Sequence, residues 1–560
     1  MRLLRTVLRR APLAMMLSVA AACQTSEPAL DVVIRGGLVV DGLGAPARQA
    51  DVGIVGDRIT AVGDLSLVKA GQVIDAKGRV VSPGFIDVQG QSGTTLLADG
   101  NGESHLRQGI TSEIIGEGSS PAFWTAETAD RDALAPFGIA FDWTGFAGYF
   151  ERLRQRGIAI NLGTFVPATM VRRAVIGLDN RPPTADELKR MEAMVDQAMR
   201  DGAFGLSSAL IYVPGSFART DELVALARVA ALHKGIYISH IRGESFNFLN
   251  ALDEAIGIGR DAHLPVVIFH LKVGAKDNWG RMNEALARIA AASAQGLRVS
   301  ATMYPYTAGG TGLAATLPLW VQEGGREKMI ERLRDPAVRA RARQEIETKI
   351  DGWENLLRAA TFDGIQIASV PKDYDPTVLG KRLAAIAAER KQDPWDTYFQ
   401  LLIATGGRVS ALYHMMSEED VKTALRSPVT IGTDSSALRS EGILSQGSPH
   451  PRSYGTFPRV LGKYVREEKL LKLETAVEMM TSRAAAQMGI RDRGTVVVGR
   501  YADLVVFDPD TVTDNATYER PHQYPTGIDY VMVNGVVVLD PKGLTGSRPG
   551  RPLYGPARTP

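Results

Sequence analysis

Gly235-Ile236-Tyr237-Ile238-Ser239-His240 and Pro265-Val266-Val267-Ile268-Phe269-His270, with residues 251–260 between them, decide the fold. Each apolar run reads as a short buried strand ending in a histidine, and the apolar residues of 251–260 recur at helical spacing. Such a strand–helix–strand unit makes a right-handed crossover between parallel strands. His240 and His270 then stand at the carboxyl ends of successive strands, the face of a (β/α)8 barrel where metals and catalytic groups collect. One histidine on an apolar run reads as a hydrogen-bonded core residue. Two at the same point of consecutive units, each followed by a cation (Arg242, Lys272), read as a metal site.

Outward from this unit, residues 82–487 alternate apolar strands (158–163, 299–304) with amphipathic helices (186–199, 222–233), a pattern that favours a parallel barrel. Residues 317–402 are charged and helical in character, and are expected to form an insertion between two late strands. Short alternating runs separated by glycine turns fill residues 30–81, as in Asp31-Val32-Val33-Ile34-Arg35. The far end reads alike at Thr495-Val496-Val497-Val498, Leu504-Val505-Val506-Phe507 and Tyr530-Val531-Met532-Val533. The expected architecture is α/β: a (β/α)8 TIM-like barrel with a helical insertion, and a small β-sandwich built from residues 23–81 and 488–545. Chain ends often lie close together, which lets both β segments join. Residues 546–560 read as a tail.

The 560 residues include 45% apolar and 22% charged, the balance of an ordinary globular protein. A net charge of +2, with no basic stripe or zinc-finger spacing, argues against nucleic acid as a partner. Residues 1–22 read as a signal peptide: Arg2, Arg5, Arg9 and Arg10 precede an apolar segment too short to span a bilayer. It ends at Ala20-Ala21-Ala22-Cys23, where Cys23 is the only cysteine. That position predicts export and a lipid anchor, hence a periplasmic or membrane-anchored bacterial lipoprotein. Cleavage without lipidation is the alternative. Oligomeric state leaves no signal.

Pro83-Gly84-Phe85-Ile86-Asp87-Val88-Gln89-Gly90-Gln91 resembles the first barrel strand of the amidohydrolase superfamily, with Gln89 and Gln91 where that superfamily has His-x-His. Other motifs resemble one branch, the N-acyl-D-amino-acid deacylases (D-aminoacylases). They include Tyr212-Val213-Pro214-Gly215, Ser239-His240-Ile241-Arg242, Phe269-His270-Leu271-Lys272, Tyr304-Pro305-Tyr306, Gly432-Thr433-Asp434 and Pro449-His450-Pro451-Arg452. The resemblance runs along nearly the whole chain after residue 23.

The resemblance implies a hydrolytic zinc held by His240, His270 and an anionic ligand. That ligand is a cysteine in the D-aminoacylases. Here Glu117 is the nearby carboxylate that could replace it, a solvated loop carboxylate being its structural alternative. Asp434 matches the family's general base, with a helix N-cap as its alternative. Lys272, Tyr304 and Arg452 match residues that hold the substrate's α-carboxylate, and Tyr212 one that orients the scissile carbonyl. Structural ion pairs are the alternative for Lys272 and Arg452. Glutamine is a poor zinc ligand but a fair hydrogen-bond partner, so Gln89 and Gln91 argue for one zinc ion per chain. The expected reaction is attack of a metal-bound hydroxide on the amide of an N-acyl-D-amino acid or a short D-residue peptide, with Asp434 carrying the proton. Cyclic-amide or unusual dipeptide hydrolysis is one alternative, and a catalytically silent binding lipoprotein is another. His105, His233, His263 and His522 receive no role.

Overall fold

A computed structural model of the chain describes residues 30–558. Cys23 and the expected signal peptide lie outside the described residues. Among the described residues no helix is long and apolar enough to cross a membrane.

Eight parallel staves form the centre: β1 (Phe85–Asp87), β2 (Ile110–Ile115), β3 (Asn161–Thr164), β4 (Gly205–Ala209), β5 (Ile236–His240), β6 (Val266–Ile268), β7 (Val299–Met303) and β8 (Thr430–Ile431). The ladders β1–β2–β3 and β4 through β8 are continuous and parallel. Two joints close the ring. Val166–Pro167, the continuation of β3, pairs with Leu206 and Ser207, and Phe204 N donates to Thr164 O at 3.0 Å. At the other joint Asp434 N donates to Gln89 O at 2.8 Å, and Gly90 bridges Ser435 in parallel. Ile86, Val88, Ile114, Phe165, Ile238, Val267 and Phe269 pack one core inside the ring. The interior is thus a packed apolar floor and not a pore, and the candidate site stands at the upper rim.

The crossover helix Phe248–Ala262 turns Ala251, Leu252, Ala255 and Ile258 inward, the residues whose spacing predicts it. Between β7 and β8 the chain makes an excursion of helices, among them Arg326–Arg334, Pro336–Thr348 and Pro394–Ala404. The excursion also carries a small antiparallel sheet of Ala308–Gly312, Ser410–His414 and Ile365–Ser369. Ala308–Gly312 holds three glycines and no apolar alternation, so its pairing leaves no pattern to read.

Both chain ends meet in one nine-stranded mixed sheet. Val80–Pro83 is its seam, parallel to Leu38 and Val39 on one side and antiparallel to Leu504–Phe507 on the other. This unit keeps its own core, including Ile34, Ile54, Ile74, Val506 and Met532. Thr495–Val498, expected as a strand, is not one. Val496 N bonds to Asp41 O, while Val497 and Val498 remain 38% and 56% exposed. Three consecutive valines supply β propensity but no neighbouring ladder completes it.

A buried ion pair fastens this sheet to the barrel. Arg493 bonds Asp503 through Nη1 and donates from Nη2 to Asn534 Oδ1 at 2.8 Å. Asn534 Nδ2 in turn donates to Asn161 Oδ1 of β3 at 2.8 Å. Removing one partner of a buried pair leaves the other charge uncompensated. Asp503→Ala is therefore expected to cost about 3–5 kcal/mol, read as a lower midpoint in thermal or urea unfolding; a midpoint equal to that of the parent would contradict the stitch.

Candidate metal centre

β2 is followed by Gly116, whose φ of +104° places the chain where a Cβ would stand 2.8 Å from Phe165 O. Only glycine turns there without strain, and the turn carries Glu117 over the barrel mouth. His240 closes β5, and His270 follows β6 with a φ of +34°. Asp434 beyond β8 also has positive φ, +48°. Left-handed backbone at non-glycine residues costs about 1–3 kcal/mol each and collects at functional sites.

Three ligand atoms converge. Glu117 Oε1 lies 2.8 Å from His240 Nδ1 and 3.2 Å from His270 Nε2, and one atom from each residue falls within 4.8 Å of the others. All three side chains are buried. Two neutral imidazole nitrogens and one carboxylate oxygen form a donor set that catalytic zinc sites use. The residues fit the metal that the sequence implies, and Glu117 sits among the ligands, not in a solvated loop.

The other expected residues line the same cavity of about 460 Å³: Gln91, Tyr212, Lys272, Tyr304, Asp434 and Arg452. Arg452 Nη1 stands 2.9 Å from Asp434 Oδ2, and its guanidinium lies 4.5 Å above the Tyr304 ring. Its Nε and Nη1 have no aligned acceptor although both are buried. Lys272 Nζ donates to Glu244 Oε1 at 2.6 Å. Thr311 Oγ1 donates to Tyr212 Oη at 2.8 Å, which leaves the phenol hydrogen uncommitted. Met415 lines the cavity, whereas His414 turns away to Gln366 Oε1 at 3.0 Å.

Glu244 carries no role in the sequence reading, yet it faces both metal-site imidazoles from behind. Its Oε1 lies 2.9 Å from His270 Nδ1 and its Oε2 lies 3.6 Å from His240 Nε2. At His270 the carboxylate stands at the outer nitrogen, which Lys272 Nζ also approaches at 2.7 Å, and there it orients the ring and aims the inner nitrogen at the metal. The His240 contact is too long for a hydrogen bond. The only sequence signal of Glu244 is its place as an acid four residues past His240. Glu354 supports it from below, accepting Glu244 N–H at 3.0 Å through Oε2; burial pushes the Glu354 carboxyl up to about 7. A second unread group is Asp87 in β1, which accepts from the N–H of both Gln89 and Thr433 at 3.0 Å and so holds β1 and β8 in register.

Electrostatics follow from crowding. Burial alone would raise the Glu117 carboxyl, but the His270 charge and hydrogen bonds from both imidazoles hold it well below the usual range. Burial and Lys272 lower His270, while Glu244, Glu117 and Asp434 outweigh them and push it up to about 9. Asp434 is raised, chiefly by burial and also by Glu117, against the opposing pull of Arg452. A divalent cation competes for the same negative field as the His270 proton, so binding it releases that proton.

The sequence model of the amidohydrolase family matches residues 72–539. A D-aminoacylase of Alcaligenes xylosoxydans xylosoxydans is 35% identical, over 95% of this chain and 99% of that protein. An N-acyl-D-glutamate deacylase of the same organism is 37% identical, over 94% and 96%. The crystal structure of N-acyl-D-glutamate deacylase from Bordetella bronchiseptica, complexed with zinc and a phosphonate that mimics the tetrahedral intermediate, superposes with a TM-score of 0.78. It is 35% identical and covers 94% of this chain and 100% of that one.

Loss of an outer partner of this kind weakens a metal site about ten- to a hundred-fold. Glu244→Gln, which keeps the shape and removes the charge, is expected to lower zinc affinity by that factor in competition with a chromophoric chelator. Unchanged affinity in a cooperatively folded variant would contradict the assignment.

Proposed function

The chain belongs to the amidohydrolase family, in its D-aminoacylase branch, and from that premise we propose that it hydrolyses the amide bond of N-acyl-D-amino acids with zinc held by Glu117, His240 and His270. The observation that carries this reading is the convergence of those three ligand atoms in a cavity that also holds Asp434 and Arg452. Zinc bound there supplies acidification of a coordinated water and Lewis-acid polarisation of the carbonyl.

The chain's own side chains account for the rest. Asp434 takes a proton from the attacking water and passes it to the leaving nitrogen, while the water oxygen bonds to the carbonyl carbon and the C–N bond breaks. The raised proton affinity of Asp434 suits a group that must both accept and return a proton. Arg452 keeps it in place and, with unaligned donors left over, grips the substrate's α-carboxylate beside Tyr304 and Lys272. Tyr212, whose pKa burial pushes well above its ordinary value, stays protonated and donates its free hydrogen to the scissile carbonyl oxygen. The apolar barrel core below gives the site a closed, non-polar floor.

A comparison of N-acyl-D- with N-acyl-L-amino acids, using cyclic amides and dipeptides as controls, tests the substrate class: turnover of the D-series, lost on chelation and restored by zinc, is expected. Asp434→Asn is expected to lower kcat by about 10²–10⁴ while zinc is retained. A zinc-loaded protein that turns over none of these compounds would instead support a binding role.

Export and lipid anchoring belong to the same proposal, supported by the order of basic, apolar and small residues that ends at Cys23. Cys23→Ala is expected to shift the protein out of the membrane fraction of the cell; retention there would sink the anchor.

A further inference from the structure

Glu117 offers two oxygens, and the structure uses them differently. Oε1 faces His240 and His270, as described above. Oε2 accepts from Gln89 Nε2 and from Gln91 Nε2, each at 3.0 Å. The orientation of Gln89 is forced: its Oε1 accepts from His270 N at 3.0 Å and from Thr302 Oγ1 at 2.7 Å. Flipping that amide would set oxygen against carboxylate and NH2 against the His270 N–H. One side chain just beyond β1 therefore touches both the anionic ligand and the backbone of an imidazole ligand. Gln91 Nε2 also lies 3.4 Å from Asp434 Oδ1, so its NH2 group stands between the buried Glu117 carboxylate and the part-buried Asp434 carboxylate.

We propose that Gln89 and Gln91 are positioning residues that hold Glu117 as a one-oxygen ligand and close the space between Glu117 and Asp434 to a second cation. The proposal rests on the zinc-hydrolase reading and adds to it. A carboxylate with both oxygens free can chelate one ion or bridge two. Here two N–H donors occupy the second oxygen, and an ion shared by Glu117 Oε2 and Asp434 would have to displace the Gln91 amide. Amide NH2 groups present hydrogen, not a lone pair, so they cannot ligate in that orientation. The Gln91 NH2 group takes the place between the two acids that a cation would otherwise fill, without forming a metal bond. The site so built admits one divalent ion and keeps Asp434 outside its ligand shell, available for proton transfer.

The test is metal analysis of the whole protein, stripped with chelator, reloaded in a large excess of zinc and separated from free metal. One zinc per chain is expected for the parent, and two for Gln91→Glu, where an acceptor oxygen replaces the NH2 group. Gln91→Ala and Gln89→Ala, loaded with cobalt(II), are expected to show weaker visible bands as Glu117 becomes free to bind through both oxygens. Zinc affinity in these variants should fall about ten- to a hundred-fold. Should Gln89→Ala not fold, the part-buried Gln91 carries the same test. Two ions in the parent, or cobalt spectra and affinities of the alanine variants equal to the parent's, overturn the proposal while leaving the hydrolase intact. No zinc in the parent overturns both.

Discussion

A buried carboxylate shared between two imidazoles is the interaction on which this architecture depends. An ionised acid in a dry interior is unfavourable unless positive charge and hydrogen bonds meet it. Around Glu117 that requirement is met by four side chains from three staves: Gln89 and Gln91 beyond the end of β1, His240 from β5, and His270 from β6. Each contact demands that its strand end at one height and one angle. The barrel supplies this common rim, and its apolar filling lowers the dielectric beneath the charges that stand on it.

The charges above the rim pair in a way that serves chemistry. Glu244 meets Lys272 and the backs of both histidines, while Asp434 meets Arg452. Three carboxylates thus confront two permanent cations, and the imbalance falls on His270, which is pushed up to about 9. A cation binding to Glu117 relieves the same imbalance, so affinity for metal and the placement of Asp434 and Arg452 are aspects of one electrostatic problem. The seam strand Val80–Pro83 links the opposite end of the barrel to the terminal sheet, since it leads directly into the amino end of β1.

Much of this was legible in the residues, for physical reasons. Apolar runs ending in His240 and His270 identify β5 and β6 because a strand buried on both faces tolerates polarity only at its end. Glu117 was legible as the carboxylate beside the expected position of a thiolate. Glu244 and Asp87 were not, because a loop acid and a strand acid show their partners only once distant staves meet. The Gln89 and Gln91 substitutions were read as losses of metal ligands; their hydrogen bonds to Glu117 depend on the closed ring. Thr495–Val498 misled because valine content reports propensity, whereas pairing needs a neighbour. The third stave lies at Asn161–Thr164, shifted from the expected 158–163, since its apolar residues begin before its ladder does.

X-ray absorption at the zinc edge of the reloaded protein tests the centre most directly. The account predicts a first shell of nitrogen and oxygen only, at about 2.0–2.2 Å, with outer-shell scattering from two imidazoles. A sulfur scatterer near ~2.3 Å, or scattering from fewer than two imidazoles, would contradict it.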